Sequence, residues 1–119
     1  MPPLIETLEQ LEDGFAANLV LEAMNGDRII GSVRARLNNG ECYIGRLSVH
    51  PDFQNQGVGR ALMEEVERRH PQVARFTLFA GSRSAKNIGL YERLGYRTER
   101  REPVAEGVDL LYMAKTRPV

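Results

Sequence analysis

Apolar residues recur early in the chain at Leu4, Leu8, Leu11 and Phe15, and these spacings of four, three and four predict an amphipathic helix over residues 4–15. Pro2 and Pro3 stand where a helix start tolerates proline, and Gly14 where a helix stops. Residues 19–24 then read as an apolar strand, closed by the turn Asn25-Gly26-Asp27. Residues 28–37 alternate, with Ile29, Val33 and Leu37 on one face and Ile30, Ser32, Arg34 and Arg36 on the other, as a half-exposed strand does. A second turn, Asn38-Asn39-Gly40, leads into a third antiparallel strand, Glu41–Val49, and Pro51 marks where sheet pairing must end because it has no N–H to donate.

Beyond that proline the period changes. Val58, Leu62 and Val66 share one helical face, with Glu64 to Arg68 and Glu65 to Arg69 as i,i+4 ion pairs on the outer side, and Pro71 ends the helix at His70. Residues 76–80 are a strand reached through a helix, which places it parallel to the strand before that helix. Ser84 is positioned to cap a short helix carrying Ile88, Leu90, Tyr91 and Leu94, and Gly95 to stop it. Residues 96–101 and 108–113 close the chain as a hairpin around a polar loop at 102–107. The whole chain, 1–119, is expected to be one α/β (α+β) domain: a mixed, mostly antiparallel twisted sheet of about six strands flanked by about three helices.

Between the third strand and the first long helix lies Gln54-Asn55-Gln56-Gly57-Val58-Gly59-Arg60. A loop that leaves a strand and opens a helix presents successive backbone N–H groups to an anion, and glycine removes the side chains that would block approach. This stretch is read as a cradle for a diphosphate.

Sixteen basic and sixteen acidic residues cancel, which argues against the clustered phosphate neutralisation that nucleic-acid binding uses. An anionic ligand is therefore expected to be held by local backbone geometry. The lone Cys42 can form no internal disulfide and has no partner in a metal-ligand spacing. No apolar stretch has the length of a membrane span, so the expected location is the cytoplasm.

Taken in order, Val49-His50-Pro51, the Gln-x-x-Gly-x-Gly loop, the helix, the parallel strand and Leu90-Tyr91-Glu92-Arg93-Leu94-Gly95-Tyr96 resemble the GCN5-related N-acetyltransferase (GNAT) family over residues 19–113. The resemblance implies acetyl-coenzyme A as donor and an amine, on a small molecule or a peptide, as acceptor, with no metal, nucleic acid or membrane partner. It implies that Gln54, Asn55, Gln56, Gly57, Val58, Gly59 and Arg60 hold the diphosphate. Leu47, Ser48 and Val49 would offer their main chain to the pantetheine arm, as an edge strand does. Tyr91 would act as general acid toward the departing thiolate. Where the family commonly carries Asn seven residues before this tyrosine, the chain has Ser84, and Asn87 falls on the same helical face; one or the other serves the cofactor arm.

The chain also looks shortened, lacking a strand and helix before the helix expected at 4–15, which would leave the strand at 19–24 with a free edge suited to a homodimer. The position of a glutamate base in some family members falls on Tyr43, and Glu41, one same-face step earlier, is the candidate base. Cys42 points to the other face without a paired His, which disfavours an acyl-cysteine route. His50 reads as a loop residue. Arg83 and Lys86 are either phosphate contacts or solvated surface charges. A non-catalytic acyl-coenzyme A or partner-binding module on the same fold is the alternative to an enzyme.

Overall fold

The computed structural model describes residues 4–12 and 16–118. In chain order these form β1 (Leu4–Glu12), β2 (Ala16–Asn25), β3 (Arg28–Asn38), β4 (Glu41–Val49), a single 3-10 turn (Pro51–Phe53), α1 (Val58–Arg68), β5 (Arg75–Gly81), α2 (Ala85–Arg93), β6 (Arg97–Ala105) and β7 (Val108–Thr116). One sheet contains all seven strands in the order β1-β2-β3-β4-β5-β7-β6. Only β4 and β5 run parallel, as a connection through a helix requires.

The two tight turns behave as their residues dictate. Gly26, Asn39 and Gly40 adopt φ of 64°, 53° and 81°, the left-handed region that two-residue hairpins demand and that Asn and Gly enter most readily. They fix the β2–β3 and β3–β4 registers and so bring the end of β4 to the start of the glycine loop.

Several expectations are corrected. The stretch expected to be a helix at 4–15 is strand β1, paired antiparallel to β2 from Leu4↔Met24 to Glu12↔Ala16; its proposed stop at Gly14 and its last apolar residue, Phe15, lie outside the described residues. Backbone pairing along the whole length of β2 outweighs a four-three-four spacing that isolated propensity would read as helical. The edge of β2 is therefore occupied, and the premise of a homodimer through it falls. Among the described residues the sheet has seven strands rather than about six, and two α-helices and one 3-10 turn stand in place of about three helices. In the closing hairpin β6 continues to Ala105, so the polar loop shrinks to Glu106-Gly107.

The core lies between one sheet face and the two helices. Leu62, Met63 and Val66 of α1 are fully buried against Leu21, Val33, Cys42 and Phe76, each aliphatic side chain contributing roughly 1.5–3 kcal/mol by its removal from water. Glu65 is buried rather than on the outer side; it pairs with Arg69 at 2.7 Å, as expected, and also with Arg68, while Glu64 pairs with Arg60 at 3.5 Å. The opposite sheet face carries an aromatic row, Tyr43, Phe79 and Tyr112, with ring centroids 5.4 and 4.4 Å apart. Tyr43 and Phe79 are exposed there.

A bulge in β4 shapes the functional end of the sheet. Between the pairs Ser32↔Ser48 and Arg34↔Gly45, β4 places two residues, Arg46 and Leu47, against one in β3, Val33, and Arg46 takes up the extra residue at φ 55°. The alternation is thereby reset, and Leu47 and Val49 join Cys42 and Ile44 on the face that meets α1. Pairing between β4 and β5 runs from Cys42↔Phe76 to Ile44↔Leu78 and stops there, while β5 stays paired with β7 up to Gly81↔Leu110. Past Ile44 the two parallel strands part.

Candidate functional site

The parting of β4 and β5 opens toward the N-terminal turn of α1, and a cavity of about 560 Å³ lies where the two meet. Gly57 occupies the position before α1 at φ 84° and offers no side chain as a cap. The first main-chain bond into the helix is from Ala61 N–H to the Gly57 carbonyl at 3.0 Å. The N–H groups of Val58, Gly59 and Arg60 thus point out of the helix start without a capping side chain, the ordinary condition of a helix N-terminus and the source of its affinity for anions.

Gly59 is required for a different reason. A Cβ there would stand 3.1 Å from Leu90 Cδ2 of α2 and 3.6 Å from Val49 Cγ2 of β4, so three elements converge on a residue without a side chain. This keeps the cavity floor open beneath the α1 terminus.

Among the described residues, three cations line the cavity, Arg60, Lys86 and Arg93, and no carboxylate does. Lys86 Nζ donates to Gln54 Oε1 at 3.4 Å, while Gln54 Nε2 donates to the Val49 carbonyl at 3.3 Å. Gln54 therefore ties the end of β4 to the first turn of α2 across the cavity mouth. The combination of uncapped N–H groups, like-signed side chains and an absence of acid makes the cavity a site for an anionic ligand.

Of the residues singled out from the sequence, Leu47, Ser48, Val49, Gln54, Asn55, Gly57, Val58, Gly59, Arg60 and Asn87 all line this cavity. Gln56 does not; its side chain folds back to donate to the Asp52 carbonyl at 3.3 Å. Between the two polar candidates on α2, Asn87 lines the cavity and Ser84 stays at the helix start outside it. Lys86 lines it too, whereas Arg83 lies over the β6–β7 turn, its terminal nitrogen 3.0 Å from where a Cβ on Gly107 would stand. His50 is a turn residue: Nδ1 accepts the Asp52 N–H at 3.1 Å and so caps the 3-10 turn.

Tyr91 follows Asn87 by one helical turn on α2, is 6% exposed, and is not among the residues that line the cavity. Its hydroxyl makes no hydrogen bond among the described residues, and burial pushes its pKa up to about 12. The phenol therefore keeps its proton throughout the neutral range and is able to donate a hydrogen bond. The buried thiol of Cys42 is pushed up to about 12 as well, again by burial, which leaves it protonated and unreactive.

Glu41 is set apart from all of these. It begins β4, six residues before Leu47, a distance of about 20 Å along a strand, and its carboxylate faces Arg75 at 3.6 Å. Sequence reasoning missed three lining residues, Phe53, Leu90 and Arg93. For Arg93 a signal was present: a glycine one helical turn earlier, at 89, lets a long side chain fold back along the helix.

The family model of the acetyltransferase (GNAT) domain matches residues 5–117. The chain is 42% identical over 60 residues to the [ribosomal protein bS18]-alanine N-acetyltransferase of Escherichia coli (strain K12), a span of 47% of this chain and 39% of that protein. It is 30% identical over 82 residues to an uncharacterized N-acetyltransferase of Porphyra purpurea, 66% of this chain and 45% of that one. The chain thus spans about half the length of the curated relatives it matches. Among solved structures, the ribosomal-protein-S18-alanine N-acetyltransferase from Escherichia coli superposes with a TM-score of 0.76 at 26% identity, over 86% of this chain and 70% of that chain. The PaiA N-acetyltransferase from Thermoplasma acidophilum, solved in complex with coenzyme A, shares the fold with a TM-score of 0.74 at 18% identity, over 84% of this chain and 61% of that chain. Since the family match runs over nearly the whole chain, the protein belongs to the GNAT acetyltransferase family.

Proposed function

We propose that this chain is an N-acetyltransferase that moves an acetyl group from acetyl-coenzyme A to an amine by direct attack. The observation that carries this reading is the convergence, at the mouth of the β4–β5 gap, of an uncapped helix N-terminus with three cations and no carboxylate. The residues suit the cofactor. The N–H groups of Val58, Gly59 and Arg60 would hold the diphosphate, Gly59 leaves the space, and the main chain of β4 beyond Ile44, paired with β3 but free on the side facing β5, would meet the amide-bearing arm in the manner of an added strand.

The bound cofactor supplies the acetyl thioester. Tyr91 is assigned the donor role at the sulfur: a phenol with a pKa near 12 is a weaker acid than an ordinary thiol, at about 8.5, so it stabilises negative charge on sulfur by hydrogen bonding without passing its proton on completely. Asn87, rather than Ser84, is assigned to the cofactor arm. Among the described residues no carboxylate or imidazole lines the cavity, so the base that frees the attacking amine is assigned to solvent or to the acceptor, and Glu41 is given no part.

The acceptor is an amine of a peptide N-terminus or of a small molecule. The E. coli relative named above acts on an alanine of ribosomal protein bS18, which makes a peptide beginning with Ala a first choice for assay. The second reading, a non-catalytic acyl-coenzyme A binding module, is favoured by one observation: among the described residues no carboxylate or imidazole lines the cavity to serve as a base.

Calorimetric titration with acetyl-coenzyme A and with coenzyme A, followed by turnover assays on an Ala-initiated peptide, spermidine and simple alkylamines, tests both. One cofactor per chain with turnover supports the enzyme. Binding without turnover, unchanged by Tyr91→Phe, supports the module, and no binding by the folded chain overturns both.

A further inference from the structure

Coenzyme A presents two separate anionic groups, a diphosphate and a phosphomonoester on the ribose 3′ carbon, and α1 supplies one helix N-terminus. The second anion needs a partner of another kind. Of the three cations at the cavity, Arg60 is engaged with Glu64 at 3.5 Å and Lys86 with Gln54 Oε1 at 3.4 Å. Arg93 has neither an ion pair nor a hydrogen bond among the described residues, although it lines the same cavity.

The placement of Arg93 is also unusual for its position in the helix. A basic residue in the last turn commonly turns toward the C-terminal carbonyls, where the helix dipole favours it. Arg93 instead folds back one turn, its terminal nitrogen 3.2 Å from the point where a Cβ on Gly89 would stand. Side chains on a helix lean toward its N-terminus, and a missing side chain at Gly89 lets this one lie flat. Leu90, between them, touches Gly59 in the first turn of α1, so the guanidinium is brought to the level of the α1 terminus. A planar fork of N–H donors matches two oxygens of a phosphomonoester at once.

We propose that the Arg93 guanidinium, seated over Gly89, holds the 3′-phosphate of coenzyme A, and that this residue makes the chain distinguish coenzyme A from 3′-dephospho-coenzyme A. The proposal rests on the acetyl-coenzyme A reading of the cavity. Arg60 and the α1 N-terminus serve the diphosphate, which the two ligands share.

Calorimetric dissociation constants for the two ligands, on the unaltered chain and on Arg93→Gln, Gly89→Ala and Arg60→Gln, decide it, with circular dichroism confirming that each variant is folded. The unaltered chain should bind coenzyme A about tenfold or more tighter than the dephospho form at low salt, the advantage shrinking as salt screens an exposed contact. Arg93→Gln should bring the two ligands within about twofold by weakening coenzyme A alone. Gly89→Ala should lower the preference in part while leaving the helix intact, since alanine favours a helix over glycine. Arg60→Gln should weaken both ligands by the same factor. An Arg93→Gln variant that keeps the full preference, or that loses both ligands equally, overturns the proposal and leaves the cofactor reading standing. A folded chain that binds neither ligand overturns the cofactor reading itself.

Discussion

Leu90 Cδ2 of α2 lies 3.1 Å from the point where a Cβ on Gly59 of α1 would stand. The two helices therefore touch at the first turn of α1, at the cavity that the loop and β4 enclose. Gly59→Ala should gain about 1 kcal/mol of helix propensity and lose a comparable amount as Leu90 is displaced, leaving Tm nearly unchanged. The displaced Leu90 moves into the cavity, so coenzyme A affinity should fall several-fold. Gly57→Ala should do the reverse: nothing stands near its Cβ, but φ is 84°, a conformation that costs a residue with a side chain about 1–2 kcal/mol. Thermal melts and titrations on the two variants should separate the effects, and a Gly59 variant with full affinity would show that the cavity does not seat the ligand.

The sequence was most informative where punctuation is local. Asn39-Gly40 and Pro51 delimit β4 at the residues expected, and the glycine loop could be placed because strand period gives way to helix period across it. The strand at Leu4–Glu12 could not be read, since its identity comes from nine backbone pairings with β2 and not from any alternation of its own. The bulge at Arg46 was equally invisible: a non-glycine in a left-handed conformation leaves no compositional mark, yet it parts β4 from β5 and makes the gap. Of the residues that line the cavity, those of the glycine loop, the end of β4 and Lys86 could be named from the sequence, whereas Arg93 was passed over although Gly89 precedes it by one turn.

Tyr91→Phe removes a hydroxyl that has no hydrogen-bond partner among the described residues, so stability should change by less than about 1 kcal/mol. Coenzyme A affinity should stay within about twofold. If the phenol serves the departing sulfur, turnover should fall by about tenfold to a hundredfold. The unaltered chain should show no alkaline loss of rate from this group below about pH 11, because burial holds its pKa near 12. Equal turnover by the two proteins would remove Tyr91 from the mechanism.

Glu41→Gln separates an exposed strand end from a catalytic base. The Glu41 carboxylate is half exposed and faces Arg75 at 3.6 Å, an interaction worth at most about 0.5 kcal/mol after solvent screening. Steady-state rates at several pH values should match those of the unaltered chain. A loss of the acidic limb of the profile would restore Glu41 as the base.

Glu67 lies near the C-terminal end of α1, away from the cavity, and joins three elements. Its Oε2 accepts from the Tyr96 hydroxyl at 3.0 Å and its Oε1 from Lys115 Nζ at 2.7 Å. Arg117 donates to the carbonyls of Glu67 and Val73 at 3.1 and 2.9 Å, and also to that of His70. Glu67→Ala would leave a buried phenol and a largely buried ammonium unpaired, at a cost of about 3 kcal/mol, or a Tm loss on the order of 10 °C. Glu67→Gln keeps an acceptor for Tyr96 and should lose less. Coenzyme A affinity should be untouched in both, and a drop in it would mean that this network supports the cavity after all.

Alkaline unfolding should begin with Cys42. Burial raises its pKa from 9.0 to about 12 and that of Tyr91 from 10.0 to about 12, while Tyr96 moves in the same direction through burial and the neighbouring Glu67 carboxylate. In each case the folded state favours the neutral form. The stabilisation is therefore fully present below the unfolded pKa, near 9 for the thiol and 10 for the phenols, and is lost as pH rises toward the folded value, because the unfolded chain releases protons that the folded chain keeps. Each unit of difference is worth about 1.4 kcal/mol, so the loss between pH 9 and 12 should reach several kcal/mol. Urea midpoints measured from pH 7 to 11 should be level up to about pH 8.5 and fall thereafter. Cys42→Ala should be less stable at pH 7 through the small cavity it creates, yet its midpoint should decline less steeply between pH 9 and 10, where the thiol is the first of the three buried groups to titrate in the unfolded chain. Parallel declines in the two proteins would show that the thiol is not protected by burial, and a thiol reagent that modified the folded chain at neutral pH would show the same.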